Sequence, residues 1–281
     1  MLRYKWCGKA FVIFCIFLVF FIGIKNNIFA DSIKRILSAR DCGVVINEVM
    51  AANRNYLQDD DGNYSDYLEL YNKSDNPVTL KGFGLTNDPD KPFLWRFPNV
   101  IIEPKSFLVV WISGKDKHSG GELHTNFLLR KNDNSLVITE PSGTWKTAFL
   151  LYDMHDNIST GRQPDGSGNI EWFDGGTAGA PNTLEPLQRG CASKRLPAVS
   201  FSVEGGFYEK SLLVALSHED SEAQIYYTLD GSVPTKSSTL YNEPIKIIPR
   251  ANAAVVIRAR AFKDGYPSSF TVTRSYFVHG G

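Results

Sequence analysis

From Val44 onward the chain alternates short apolar runs with clusters of Asn, Asp, Gly and Pro. The runs GVVINEVMA, DYLELYN, PVTLKGFGLT, LWRFP, SFLVVWIS, SLVITEP and WKTAFLLYD are rich in β-branched and aromatic residues and read as strands. Within YLELY a period of two puts Leu68 and Leu70 on one face and Tyr67, Glu69 and Tyr71 on the other, as in a half-buried strand. No stretch sustains a 3.6-residue period, so the expected architecture is an antiparallel sandwich. Trp95 and Trp111 lie in such runs and read as core. APNTLEPLQRGCASKRLPAVS then breaks the pattern with Pro, Gly and basic residues, and reads as a linker. A second series follows: AVSFSVEGGFY, SLLVALSH, AQIYYTLD, PIKIIP, AVVIRARAFK and TVTRSYFV. Asp230-Gly231 in TLDGSVPT is a two-residue hairpin signal, and Arg258 and Arg260 alternate onto one face, expected to be the solvent face. The pattern thus predicts a β module over 43–184, a linker over 185–196 and a smaller β module over 197–279.

The beginning of the chain is different. Arg3, Lys5 and Lys9 precede AFVIFCIFLVFFIGI, an uncharged run ending at Ile24, and NNIFA offers a small-residue cleavage site at Ala30. This is the layout of a secretory targeting helix over residues 1–30. The run is short for a full span, which needs about 17–25 apolar residues. Export is expected, with a cleaved signal peptide and a retained membrane anchor both open.

Charge refines the boundaries. Lys plus Arg equal Asp plus Glu at 30 each, so no global charge points to nucleic acid or an acidic substrate. Locally, residues 1–42 carry a net +5 and residues 43–184 a net −7. Cys42 and Cys191 flank that acidic block. In an oxidising compartment they could form a disulfide clamping its two ends, or remain two thiols. With neither a CxxC nor a Cys/His cluster, a structural zinc site is not expected.

Several separated motifs carry a resemblance. INEVMAANRNYLQDDDGNYSDYLELYNKSDNPVTLKGFGLTND, HTNFLLRKNDNSLVITEPSGT and GRQPDGSGNIEW with GGTAGAPN resemble, in order, the opening, middle and close of bacterial lamin-tail domains, over about residues 44–182. The close departs from that family at Ala178, where Pro is usual. FYEKSLLVALSHEDSEAQIYYTLDGSVPTKSSTLYNEPIKI with IRARAFKDGYPSS resembles a chitobiase/β-hexosaminidase C-terminal-type domain over about residues 197–278. Together they look like the front of bacterial proteins related to the spore-coat protein CotH, in which a kinase-like domain commonly follows; this chain ends at Gly281. The resemblance implies two immunoglobulin-like β-sandwich domains in tandem after the targeting helix, an all-β fold without the phosphoryl-transfer part.

DDDGNYSDYLELYN, residues 59–72, concentrates carboxylates. An EF-hand loop needs acids at positions 1, 3 and 5, Gly at 6 and Glu at 12. With Gly62 at position 6, positions 1 and 12 are Leu57 and Leu68, so the pattern fails. A looser calcium site from Asp59, Asp61 and Asp66 stays open beside the plainer reading, a solvated loop turning into a strand. Nothing in the sequence supplies the pocket that a catalytic carboxylate pair needs. G-x-S-x-G and both Gly-rich phosphate motifs are absent. The five histidines read as surface or packing residues, and GSGNIEWFDGGTAG as a long connecting loop. Glycan binding would require exposed rings beside polar groups. Tyr208, Tyr226, Tyr227, Tyr241 and Tyr266 are the candidates, and packing is the competing reading of each.

The expectation is a non-enzymatic exported protein needing no cofactor beyond that calcium candidate. Its partners would be envelope or coat proteins, cell-wall polysaccharide, and the membrane if the N-terminal helix is retained, but not nucleic acid. The alternative is the accessory region of a CotH-type kinase in spore-coat or envelope assembly.

Overall fold

The computed structural model describes residues 42–279 apart from 131, 152–153 and 250–253; the targeting segment expected over 1–30 lies outside the described residues. The first module contains β1 (Val44–Met50), β2 (Asp66–Asn72), β3 (Val78–Thr79), β4 (Gly84–Thr86), β5 (Trp95–Arg96) and β6 (Ile101–Ile102). It continues with β7 (Phe107–Ile112), β8 (Leu123–His124), β9 (Ser135–Thr139), β10 (Lys146–Leu150), β11 (Ile158–Arg162) and β12 (Ile170–Asp174). The second contains β13 (Ser200–Phe201), β14 (Gly206–Tyr208), β15 (Leu212–Val214), β16 (Leu216–Ser217) and β17 (Gln224–Thr228). It ends with β18 (Thr239–Leu240), β19 (Ile245–Ile247), β20 (Ala254–Phe262) and β21 (Val272–Val278). Two β modules therefore follow in tandem, and there is no helix among the described residues.

In the first module a six-stranded sheet, β12-β11-β1-β2-β7-β8, faces a four-stranded sheet, β10-β9-β4-β5. Ile46, Leu68, Leu70, Val110 and Ile112 of the larger sheet meet Leu85, Trp95, Leu136, Ile138 and Phe149 of the smaller in one buried cluster. Each such side chain contributes about 1.5–3 kcal/mol by leaving water. A bulge between Ile46 and Glu48 resets the alternation of β1, so Val44, Ile46 and Val49 face this core. Glu48 and Met50 are thereby left on the opposite face, beside Tyr67 and Glu69 of β2.

That opposite face differs from the half-buried strand expected. Tyr67 and Glu69 are as buried as Leu68 and Leu70. The reason is a second cover: Met50, Tyr67 and Trp111 form their own cluster, and Ala178 packs against it. Glycine-rich GSGNIEWFDGGTAG is likewise more than a connecting loop, because IEWFD forms β12 and pairs along all five residues with β11. Two edges also depart from the antiparallel expectation, since β7–β8 and β14–β21 run parallel.

In the second module the sheet β14-β21-β20-β17-β18 packs Ile225, Ile257, Ala259, Ala261 and Tyr276 against Val214, Leu216, Ile245 and Ile247 of two small ladders. Asp230-Gly231 turns the chain, with Ser232 N–H and Oγ donating to Asp230 Oδ1, but residues 229–238 separate β17 from β18, so no two-residue hairpin forms. The linker is a packed strap. Leu187, Cys191 and Leu196 are buried, Leu187 N–H donates to Trp172 O, and Gln188 N–H donates to Gly265 O. Arg260 corrects the solvent-face expectation: it turns toward the first module, where Asp174 receives it together with Arg195 and Ser268.

Candidate functional site

The acidic loop at the mouth of β2 is ordered by its own hydrogen bonds. Asp59 is buried; its Oδ1 accepts Asp61 N–H at 3.1 Å and Asn63 N–H at 3.0 Å, and its Oδ2 accepts Ser65 Oγ at 2.8 Å. Lys115 Nζ reaches Asp59 Oδ2 at 2.6 Å and Asp61 Oδ2 at 2.7 Å, and Lys117 Nζ reaches Asp61 Oδ2 at 2.7 Å. Burial alone would raise the Asp59 pKa, but Lys115, Asn63 and Ser65 outweigh it and hold the carboxyl down to about 2. Asp61 is held low by the same lysine and by Lys117.

The calcium set Asp59, Asp61 and Asp66 is not assembled. Two ammonium groups already neutralise Asp61, and Asp66 is not among the carboxylates that come within ligand distance of one another here. Asp66 Oδ1 instead accepts Asn53 N–H at 3.0 Å, and burial raises its pKa. With Arg54, His155 and Arg189 it lines an open cleft of about 1510 Å³. The residue that sequence reasoning missed is His124, fully buried beside this loop, with Nε2 3.5 Å from Asp60 Oδ1 and 3.7 Å from Glu122 Oε2.

The five tyrosines do not form one surface. Tyr208, Tyr227, Tyr241 and Tyr266 pack against the second core, whereas Tyr226 pairs across the sheet with Arg260 and meets Phe262 edge-on at 5.5 Å. The exposed ring pair lies elsewhere. Phe207 of β14 and Phe277 of β21, register partners, stack at 4.7 Å with 76% and 38% of their surfaces exposed. The repeated aromatic positions in GFY and YFV are the sequence signal that could have found them.

The best-satisfied polar cluster seals the first module. Glu48 Oε1 accepts Tyr67 OH at 2.9 Å, and Thr177 supplies its N–H to both Glu48 oxygens and its hydroxyl to Oε2 at 2.7 Å. Glu69 accepts Asn47 Nδ2 at 3.1 Å on Oε1 and Gly179 N–H at 2.6 Å on Oε2. A side chain at Gly176 would run into Tyr67 OH and Glu48 Oε1, so the closing segment can approach this closely only with glycine there. GGTAGAPN is therefore the clip that covers the outer face of β1 and β2. Ala178 fills the position with a small apolar contact.

Burial, opposed by the Asn47 hydrogen bond and reinforced by the nearby Glu48 charge, raises the Glu69 pKa from 4.5 to about 8. The unfolded chain releases this proton near 4.5, while the folded protein keeps it until about 8. The native state therefore binds more protons through this window, and stability falls as pH rises across it. We expect the melting temperature to drop between pH 5 and pH 8 and Glu69→Gln to flatten that slope, whatever it does to absolute stability. Equal slopes in the two proteins would refute the assignment.

Cys42 and Cys191 are thiols, and no disulfide joins them. Cys42 packs beside the first core just before β1, whereas residues on both sides of Cys191 line the cleft with Ala51 and Ala52, just after β1.

Comparison with known families follows this division. Residues 38–160 match the model of the Lamin Tail Domain, and residues 203–273 match that of the Chitobiase/beta-hexosaminidase C-terminal domain. The two matches follow one another along the chain in the order expected from the motifs. The first match stops short of residues 175–182, which the structure nonetheless seats on β1 and β2 through Thr177 and Gly179. No curated protein matches the chain.

Proposed function

We propose that this is an exported, non-catalytic envelope protein whose two immunoglobulin-like β-sandwich modules serve attachment and scaffolding, with the second module contacting cell-wall polysaccharide. The observation that carries the reading is the Phe207–Phe277 stack on an exposed sheet edge. Two stacked rings in water, with Phe207 the more exposed, offer an apolar surface of the sort that covers the apolar face of a sugar. The basic and apolar start of the chain supports export. In a sedimentation assay of the full-length protein with insoluble peptidoglycan, chitin and cellulose, we expect saturable binding to one polymer. Phe207→Ser and Phe277→Ser should each weaken it about fivefold, the equivalent of roughly 1 kcal/mol of ring contact. Failure on all three polymers would overturn polysaccharide attachment and favour envelope or coat proteins as partners.

The order of the two modules supports a second reading, the accessory region of a CotH-type kinase in spore-coat or envelope assembly. The coding sequence beyond Gly281 tests it. An in-frame kinase-like domain would establish the reading, and a stop codon there would sink it.

A further inference from the structure

We infer that Asp60, Glu122 and His124 form a binding site for a divalent transition cation of the zinc class. His124, on β8, is completely buried with its ring stacked 6.5 Å from that of Trp111. Its Nδ1 is held by Ser113 Oγ at 2.9 Å, which fixes the ring and directs Nε2 outward toward the acidic loop. Nε2 has no hydrogen-bond partner, although it is buried. A buried ring nitrogen without a partner is costly to leave so.

What Nε2 faces decides the chemistry. Asp60 Oδ1 lies at 3.5 Å and Glu122 Oε2 at 3.7 Å, too long for good hydrogen bonds. Ligand atoms about 2.1 Å from a tetrahedral ion stand roughly 3.4 Å from one another. The two distances fit an ion at the centre better than a proton on an edge. The three ligand atoms all lie within 4.8 Å of each other. One imidazole with two carboxylates balances a divalent charge and leaves a fourth position open to solvent. The nitrogen ligand disfavours Ca²⁺ and Mg²⁺, which take oxygen.

The neighbouring lysines do not close the site. Lys117 Nζ lies 3.3 Å from Asp60 Oδ1, the ligand oxygen itself, but 2.7 Å from Asp61 Oδ2, so it can stay on Asp61 while Asp60 Oδ1 takes the cation. Asp60 N–H donates to Glu122 Oε2 at 2.7 Å, tying the two loops together as a hydrogen-bonded ligand pair. The site is distinct from the Asp59–Lys115 anchor, whose carboxylate oxygens are fully engaged.

The test is calorimetric titration of the full-length protein with ZnCl₂, MnCl₂ and CaCl₂, paired with melting curves. We expect one Zn²⁺ per chain, a higher melting temperature with Zn²⁺, and weaker binding of Ca²⁺. Asp60→Asn and Glu122→Gln fall at exposed or half-exposed positions and should retain the fold. Each should weaken Zn²⁺ binding at least about tenfold, since even groups outside the ligand shell account for 10–100-fold. His124→Gln should abolish it, and the two carboxylate variants keep the proposal testable if that buried change unfolds the module. Absence of Zn²⁺ binding, affinity unchanged within twofold in both carboxylate variants, or a preference for Ca²⁺ would each overturn the assignment.

Discussion

Glu48→Ala will destabilise the first module by about 3–4 kcal/mol and release the segment that covers β1 and β2. The side chain is fully buried and serves three donors: the Tyr67 hydroxyl, the Thr177 N–H and the Thr177 hydroxyl. Removing it leaves at least two of them buried without an acceptor, at roughly 1–3 kcal/mol each. A smaller effect runs the other way, because the Glu48 charge is one reason that the Glu69 pKa is raised, and its loss relieves Glu69. Urea denaturation gives the size of the loss. Hydrogen exchange locates it: the amides of Thr177 and Gly179, which donate to Glu48 and Glu69, should lose protection first. Glu103→Ala, at an exposed position, serves as the control and should change neither. A loss under about 1 kcal/mol with Thr177 still protected would show that the clip is held by other means.

This cover also explains where the sequence could be read and where it could not. The strands around Leu68, Val110 and Ile138 follow from local alternation, because one face of each always meets the core. The burial of Tyr67 and Glu69 depends on a segment more than a hundred residues further along the chain, and no local period reports it. Glu48 and Glu69 come to face each other only because of the bulge in β1, where an extra residue changes which side chains point outward. β12 was hidden by its glycine-rich surroundings, although Ile170 to Asp174 carries ordinary strand residues.

The acidic loop is legible only in part, for a related reason. DDDG marks a turn correctly, but whether its carboxylates hold a cation depends on what lies opposite. Lys115 and Lys117, two residues apart in SGKDKHSGG, are more than fifty positions away and deliver the ammonium groups that decide the matter. His124 sits in a two-residue strand, too short to show any period. Among the tyrosines, adjacency in YYT does put Tyr226 and Tyr227 on opposite faces, as alternation requires. Alternation cannot tell which of the faces meets water, and here Tyr226 lies beside Arg260, which the first module claims.

Asp174→Ala will uncouple the two modules. The carboxylate ends β12 and accepts from three groups across the junction: Arg195 at 3.3 Å, Arg260 at 3.4 Å and Ser268 N–H at 2.8 Å, with the Ser268 hydroxyl also bonded to it. Both arginines are largely buried at this point, and burial lowers the Arg260 pKa, with Asp174 opposing that shift and Arg195 adding to it. Without Asp174 two guanidinium groups face each other with no anion between them, a loss of about 3 kcal/mol for a pair this well shielded. Junctions between domains otherwise tolerate relative motion unless they are large and apolar. The expected result is a single melting transition that splits into two, with a larger radius of gyration in solution scattering. Asp174→Asn should fall between, since its amide oxygen can still accept Ser268 N–H but carries no charge for the arginines. If the alanine variant melts and scatters like the parent protein, then the strap from Leu187 to Leu196, with its bonds to Trp172, Gly265 and Pro267, is sufficient to hold the modules together.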